Sequence, residues 1–458
     1  LKINLNVKPN ILLFSIDSLR FDKIFGKNKS AITPNIDKII ENGITFTQAI
    51  SSADATGLGI GSSFTSKFSF RTGSTQYKID ADKLDYIHLL KKNNYNTYAT
   101  VPNIHFFLTL TKNFTDTDVY EYFKRESWLQ LVGGIGESIV SRLNEKNKEP
   151  WFYYIHLMDL HSPFYIPKEF DSEKFGKERY DRMISSIDSW IGMILKEIDL
   201  TNTLVILTAD HGDHIPVVEN WGAVTKTNPT ILKVKEKLPA LEPLGLKIIS
   251  TIRMYKRNQQ MKNLKKDLTD KQSQALLGRA HSVLYDELLH IPLIFYGHGV
   301  KQQKIISQQV RQVDMFPTLI DFLNIPDTNE VDGKSLMPLV NGESWTELPA
   351  YIETGVRWVK TAKKIIEPKF EGKTIGIRTS NYKYWRSRND PTKEVNLFDL
   401  KKDPNEEENI AENNQKIVNE MEQILDSMKK SFSSKNENDF SSEEEEKIAN
   451  ELKKLGYL

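Results

Sequence analysis

The chain has 458 residues, and its 62 Lys plus Arg are balanced by 61 Asp plus Glu for a net charge of +1, so it lacks the electrostatic footprint of a dedicated nucleic-acid binder. Hydrophobic residues at 39% and aromatics at 10% exclude wholesale disorder and predict two or three structural units. Cysteine is absent, which removes disulfides, thiolate ligands, thiol nucleophiles and any cofactor built from a cysteine side chain.

The first element is the continuous apolar run Ile11 to Ile16, which predicts a strand covered on both faces and ending at Asp17. Thr33-Pro34-Asn35-Ile36 predicts a helix with Thr33 as N-cap and Pro at the first position, closed by Gly43. A strand is expected around Ile44 to Ala49, then a helix from the spacing of Leu84, Ile87 and Leu90, and strands over Tyr95 to Val101 and Trp151 to Leu157. The strongest helical stripe runs from Met183 through Ile187, Ile191 and Ile194 to Ile198 and feeds a strand over Thr203 to Thr208. Ile291 to Tyr296 predicts a further strand and Pro317 to Leu323 a further helix.

This alternation predicts an α/β fold with a mostly parallel central sheet and helices on both faces. Beyond Pro349 short extended pieces, Ile375 to Thr379, Tyr382 to Arg386 and Val395 to Leu400, follow one another and predict a small antiparallel sheet. The expected organisation is a catalytic domain over 1–348, an antiparallel C-terminal subdomain over 349–430, and a linker with a terminal helix over 431–458. A basic segment, 215–277, reads as an insertion that could act as a lid. Its Lys/Arg-rich stretch from Met254 to Lys266 suits a solvated helical face better than an anionic ligand. No apolar run approaches the ~20 residues that cross a bilayer. With no signal-peptide pattern at the start, the default expectation is a cytoplasmic protein, although a first residue of Leu is compatible with processing.

The chemistry-bearing residues sit where buried strands end. Asp17 follows the first strand and Asp210-His211-Gly212 follows the strand Thr203 to Thr208, so a parallel sheet brings two carboxylates and an imidazole to one edge. Such a set suits Mn or Zn, with Ca or Mg also admissible.

The order of these residues resembles the sulfatase family within the alkaline-phosphatase superfamily. The resemblance rests on Asn10-Ile-Leu-Leu-Phe-Ser-Ile-Asp17-Ser-Leu-Arg20, Thr33-Pro-Asn-Ile-Asp37, Phe46-Thr-Gln-Ala49-Ile-Ser51, His156-Leu-Met-Asp159-Leu-His161-Ser-Pro163 and Thr208-Ala-Asp210-His211-Gly212-Asp213. It continues through Leu284-Tyr-Asp-Glu287, Val313-Asp-Met-Phe-Pro317-Thr318, Asp332-Gly-Lys-Ser335, Ile377-Arg378-Thr379 and Leu397-Phe-Asp399 to Leu455-Gly-Tyr-Leu458. It implies an alkaline-phosphatase-like fold and places Thr56 at the family's nucleophile position. There, true sulfatases carry a Cys or Ser that is converted to formylglycine and followed by x-Pro-x-Arg. Thr56-Gly-Leu-Gly-Ile60 has neither the Pro nor the Arg, and no Cys exists, so formylglycine is not expected. A Thr there is similar to the superfamily's phosphodiesterases and phosphoglycerol transferases.

The resemblance therefore implies Asp17, Thr56, Asp210 and His211 as ligands of a divalent metal, with Thr56 as nucleophile. Gly57, Gly59 and Gly61 are expected to permit close backbone approach, or to form a flexible turn. The same resemblance puts His161 and His281 at the substrate, His281 as general acid, and Asn103 near the ester oxygen. His156, lone on its strand, reads as a core residue; it and Asp159 could alternatively belong to a second metal or an outer shell. Arg20 reads as a partner of Asp22. The expected function is metal-dependent hydrolysis or transfer of phosphodiesters or phosphomonoesters, acting on an anionic ester. Sulfate-ester hydrolysis without formylglycine and a decayed site that only binds are the alternatives.

Overall fold

The computed structural model describes residues 8–122, 125–145, 148–161, 165–215, 268–277, 283–355 and 373–430, with 259, 263 and 266. The chain divides into two units, 1–213 with 282–458, and 214–281. His281, most of the basic insertion and the segment 431–458 lie outside the described residues. Within 214–281 the described helix is Asp270–Leu277.

The larger unit contains the strands β1 (Asn10–Ile16), β2 (Ile44–Ile50), β3 (Asn96–Pro102), β4 (Asp116–Tyr120), β5 (Trp151–Leu157), β6 (Thr203–Thr208), β7 (His290–Ile291), β8 (Leu293–Gly297), β9 (Lys304–Arg311), β10 (Ala350–Glu353), β11 (Thr374–Arg378), β12 (Tyr382–Ser387) and β13 (Asn396–Asp399). The central sheet has nine strands in the order β4-β3-β5-β1-β6-β8-β2-β7, with β9 also on β2. The β4, β3, β5, β1 and β6 strands are parallel neighbours. β8 runs antiparallel to both β6 and β2, and two reversals leave β2 pointing the same way as β6. The carboxyl ends of β1, β2, β3, β5 and β6 consequently share one edge.

Continuous apolar runs explain the central strands. Every residue of β1, β5 and β6 is buried, as a strand covered by helices on both faces requires. The strand read over Ile291 to Tyr296 is two short strands instead. Pro292 lacks an N–H and interrupts the ladder, while its carbonyl accepts from the Thr208 hydroxyl at 2.8 Å.

The helix Pro34–Asn42 forms where the sequence places it, but Thr33 does not cap it. The Thr33 hydroxyl donates to Asp37, and the orphan N–H groups of Asn35 and Ile36 are taken by Asp188 at 3.1 and 2.7 Å. Asp188 belongs to the long helix Arg179–Lys196, so one carboxylate caps the first helix and docks it on its neighbour.

The second sheet, β10-β11-β12-β13, is antiparallel throughout. It packs Ile375, Ile377, Tyr384 and Leu397 against Val418, Met421 and Leu425 of the helix Gln415–Lys430. Across its other face Trp385 and Phe398 stack at 4.9 Å beside Tyr285, joining it to the segment that leads into β7.

Candidate active site and metal centre

Asp17 is the first residue past β1, and Ser18 follows with φ 64, a left-handed conformation that turns the chain at the sheet edge. The turn orients two carboxylates together. The Ser18 hydroxyl donates to Asp17 Oδ1, and its N–H donates to Asp210 Oδ1 at 3.0 Å. Asp210 Oδ1 also accepts the His211 N–H at 2.8 Å. Both acids thus spend Oδ1 on orientation and present Oδ2 elsewhere.

Asp17 Oδ2 accepts the Thr56 hydroxyl at 3.0 Å. The same hydroxyl oxygen lies 3.3 Å from His211 Nε2, which in turn is 3.5 Å from Asp210 Oδ2. His211 Nδ1 is 2.6 Å from the Gly212 carbonyl. A carbonyl only accepts, so Nδ1 carries the proton and a neutral ring leaves a lone pair on Nε2 facing Thr56. The structure therefore brings Asp17, Thr56, Asp210 and His211 together.

Thr56 opens the helix Thr56–Thr65, whose first-turn N–H groups have no intrahelical partner. Gly57 and Gly59 are required by close approach: a Cβ on Gly57 would lie 2.0 Å from the Gln76 carbonyl oxygen, and one on Gly59 2.5 Å from that of Asp210. Gly61 meets only ordinary contacts, the nearest at 3.5 Å. Gln312, at the end of β9, reinforces the junction. Its amide donates to the carbonyls of Ala209 and Asp210 at 3.1 Å, and its Oε1 accepts from the Ser51 hydroxyl at 3.0 Å.

His156 bears on both readings the sequence allows, a core residue or a member of a second metal or outer shell. It is fully buried, as a core histidine would be, yet only its Nδ1 is occupied, 3.1 Å from the Tyr154 hydroxyl. Its Nε2 has no hydrogen-bond partner among the described residues and sits 4.0 Å from Asp17 Oδ2, beyond hydrogen-bond reach. Burial lowers its pKa to about 3 against the opposing pull of Asp17, so the ring is neutral. Ligand atoms of Asp17, His156 and Asp210 all lie within 4.8 Å of one another, and Asp210 Oδ2 likewise lacks a hydrogen-bond partner. Orphaned, fully buried acceptors converging in this way fit a divalent cation.

Of the remaining expected residues that are described, His161 lies near enough to bear electrostatically on His156. His161 follows β5 with its Nδ1 2.6 Å from the Tyr122 hydroxyl. Asn103 is exposed at the end of β3 and donates to Glu121 at 2.5 Å. Asp159 is buried beside β5, accepts the Leu131 N–H at 3.2 Å, and is pushed up to about 7 by burial. Arg20 pairs bidentately with Asp22 at 2.9 and 2.8 Å and reaches Glu287 at 3.6 Å.

The sulfatase family model matches residues 9–325, more than half of the chain. The chain belongs to the sulfatase family. A second model, described as the C-terminal part of N-sulphoglucosamine sulphohydrolase, matches residues 280–433. Among characterised sulfatases, the chain is 33% identical over 153 residues to the Delta 4,5-hexuronate-2-O-sulfatase of Bacteroides thetaiotaomicron, which is 32% of this chain and 30% of that protein. It is 30% identical over 145 residues to arylsulfatase K of Gallus gallus, 32% of this chain and 26% of that one. The matched stretch thus spans less than a third of either relative. The fold is shared with the phosphonate monoester hydrolase of Agrobacterium radiobacter at TM-score 0.61 and 15% identity, over 93% of this chain and 96% of that one.

Within the sulfatase family, the chain has an α/β, alkaline-phosphatase-like fold. Ser18 orients Asp17 through its hydroxyl and Asp210 through its N–H. Among the described residues, the sequence reading does not single out Gln312, and it gives His156 first as a core residue. His156 joins Asp17 through the register of β5 on β1, where it pairs with Ser15, and neither strand's sequence carries that register.

Proposed function

We propose that this sulfatase-family chain hydrolyses phosphoric esters, or transfers their phosphoryl group, with the Thr56 hydroxyl as nucleophile. The observation that carries the reading is the placement of Thr56 Oγ1, 3.0 Å from Asp17 Oδ2 and 3.3 Å from His211 Nε2 at a helix N-terminus, in a chain without cysteine. Asp17, Asp210 and His211 would hold the dication, which when bound supplies a lowered hydroxyl pKa and charge stabilisation at the transferred group.

Thr56 oxygen forms a bond to phosphorus as the bond to the leaving oxygen breaks. Its proton passes to Asp17 Oδ2, which already accepts it and keeps a second lone pair, since the one Nε2 lone pair of His211 would be committed to the dication. The free N–H groups of the Thr56 helix favour the equatorial oxygens. His161 and Asn103 are proposed at the substrate, and His281 as the acid that protonates the leaving oxygen. Water then cleaves phospho-Thr56, or an acceptor alcohol takes the group.

Phosphorus is favoured over sulfur because an unmodified alkoxide has no route to expel sulfate by elimination, whereas a phosphothreonine can be hydrolysed in the same site. The relatives' names favour the second reading, a sulfate ester of a sugar. A panel of aryl phosphate, phosphodiester, phosphonate and sulfate esters, with metal-reconstituted protein, separates them. Turnover of phosphoesters with a phosphoryl mass increment on the Thr56 peptide is expected. Sulfate-ester turnover without phosphoester turnover would establish the other reading, and binding without turnover a decayed site.

A further inference from the structure

The sheet register puts His156 in the wrong place for an idle core residue. His156 is the β5 partner of Ser15 on β1, Ser15 also pairs with Thr208 on β6, and one step of the two-residue strand period leads from these to Asp17 and Asp210. All these side chains leave the same face of the sheet at the same edge. The ring packs on Phe107, whose centroid is 4.4 Å away at a 39° tilt, and its Nδ1 contacts the Tyr154 hydroxyl. Only Nε2 remains, fully buried and without a partner among the described residues.

We propose that His156 Nε2 is an additional ligand of the same dication as Asp17 and Asp210, so that the site holds two imidazole nitrogens and selects a transition-metal ion over calcium or magnesium. This rests on the metal-dependent reading above but not on the identity of the ester. A Zn- or Mn-sized ion takes nitrogen and oxygen donors at ~2.0–2.2 Å, so two donors of one ion stand at most ~4.4 Å apart. His156 Nε2 and Asp17 Oδ2 already satisfy this at 4.0 Å, and the full set within 4.8 Å needs a contraction of a few tenths of an ångström. The Tyr154 hydroxyl, 3.1 Å from Nδ1, can accept as well as donate, so it accommodates the tautomer with its proton on Nδ1 and its lone pair on Nε2, the arrangement in which an outer hydrogen bond fixes a metal-binding histidine. Hard oxygen-seeking cations gain little from two imidazoles, whereas Mn and Zn accept them readily.

The test counts nitrogens and needs no substrate. The full chain, stripped of metal and loaded with one Mn(II), should show two coupled imidazole nitrogens by pulsed EPR. His156→Gln and His211→Gln should each show one, His161→Gln should still show two, and His156→Gln should lose more than ~10-fold in Mn affinity, beyond the low end for an outer-shell change. One nitrogen in the unaltered chain, or two in His156→Gln, would overturn the proposal while leaving Thr56 chemistry untouched. If His156→Gln does not fold, His211→Gln decides: one remaining nitrogen supports His156 as ligand and none refutes it. No Mn uptake at all would remove the metal-dependent reading together with this one.

Discussion

Gly59 and Asp210 touch across the site: a Cβ on Gly59 would stand 2.5 Å from the Asp210 carbonyl oxygen and 3.4 Å from the Ser51 hydroxyl. The helix that presents Thr56 is therefore seated directly on the turn that presents Asp210 and His211. Thr56 and the Asp210-His211 turn are set by one backbone contact, with Gln312 bracing the same carbonyl.

Gly59→Ala should consequently weaken metal binding and lower stability by about 1–3 kcal/mol, because backbone must shift. Gly61→Ala, whose nearest contact is 3.5 Å away, should be neutral or stabilising by up to ~1 kcal/mol from helix propensity. Denaturation midpoints and metal titration of the two variants check this; equal effects would contradict the seating.

Asp210→Asn keeps the shape of the side chain and removes a ligand charge. It should abolish the near-stoichiometric uptake of Mn or Zn that elemental analysis of the dialysed wild-type chain is expected to show. Retention equal to wild type would contradict the assignment of Asp210.

Asp159 gives the metal-free protein a pH signature. Burial raises its folded pKa to about 7, above the ordinary carboxylate value of ~3.9 in the unfolded chain. The folded state then holds a proton that the unfolded state has lost. This group's contribution to stability is full below the unfolded pKa and is lost as pH rises through 7. Asp159→Asn should flatten that decline and be the more stable protein at pH 8, as urea midpoints across pH 4 to 8 would show.

Away from the site, Lys383 is fully buried between Asp286 and Glu406, and Arg378 holds Asp286 from the other side at 2.8 Å. These contacts lock the second sheet onto the segment leading into β7, whose Leu288 carbonyl accepts the Gly212 N–H at 2.8 Å. Lys383→Ala removes the cation paired with buried Glu406, while Asp286 keeps Arg378, and should cost about 3–5 kcal/mol in chemical denaturation. Lys383→Ala together with Glu406→Ala should cost less than the sum of the single changes.

Much of this fold was legible because its central strands are apolar on both faces and end on acidic residues. What the sequence concealed has physical causes. β4, Asp116 to Tyr120, is a polar edge strand, and β9 carries Gln308 and Gln309 where a strand pattern expects alternation. The Thr56 helix contains three glycines in six residues, so propensity argues against a helix that tertiary packing nevertheless forms. At the site, Asp17, Asp210 and His211 were readable as strand-end residues. Only the register of β5 on β1 shows that His156 joins them, and pairing register is not written in either strand alone.

The central claim is that Thr56 is the attacking group, and the steady-state rate of Thr56→Ala on the best phosphoester, at matched metal content, tests it most directly. Loss of a covalent nucleophile leaves only polarisation and positioning, so the rate should fall by several orders of magnitude while metal is retained, and Thr56→Ser should keep part of the activity. Full activity in Thr56→Ala would contradict the account and leave activated water as the nucleophile.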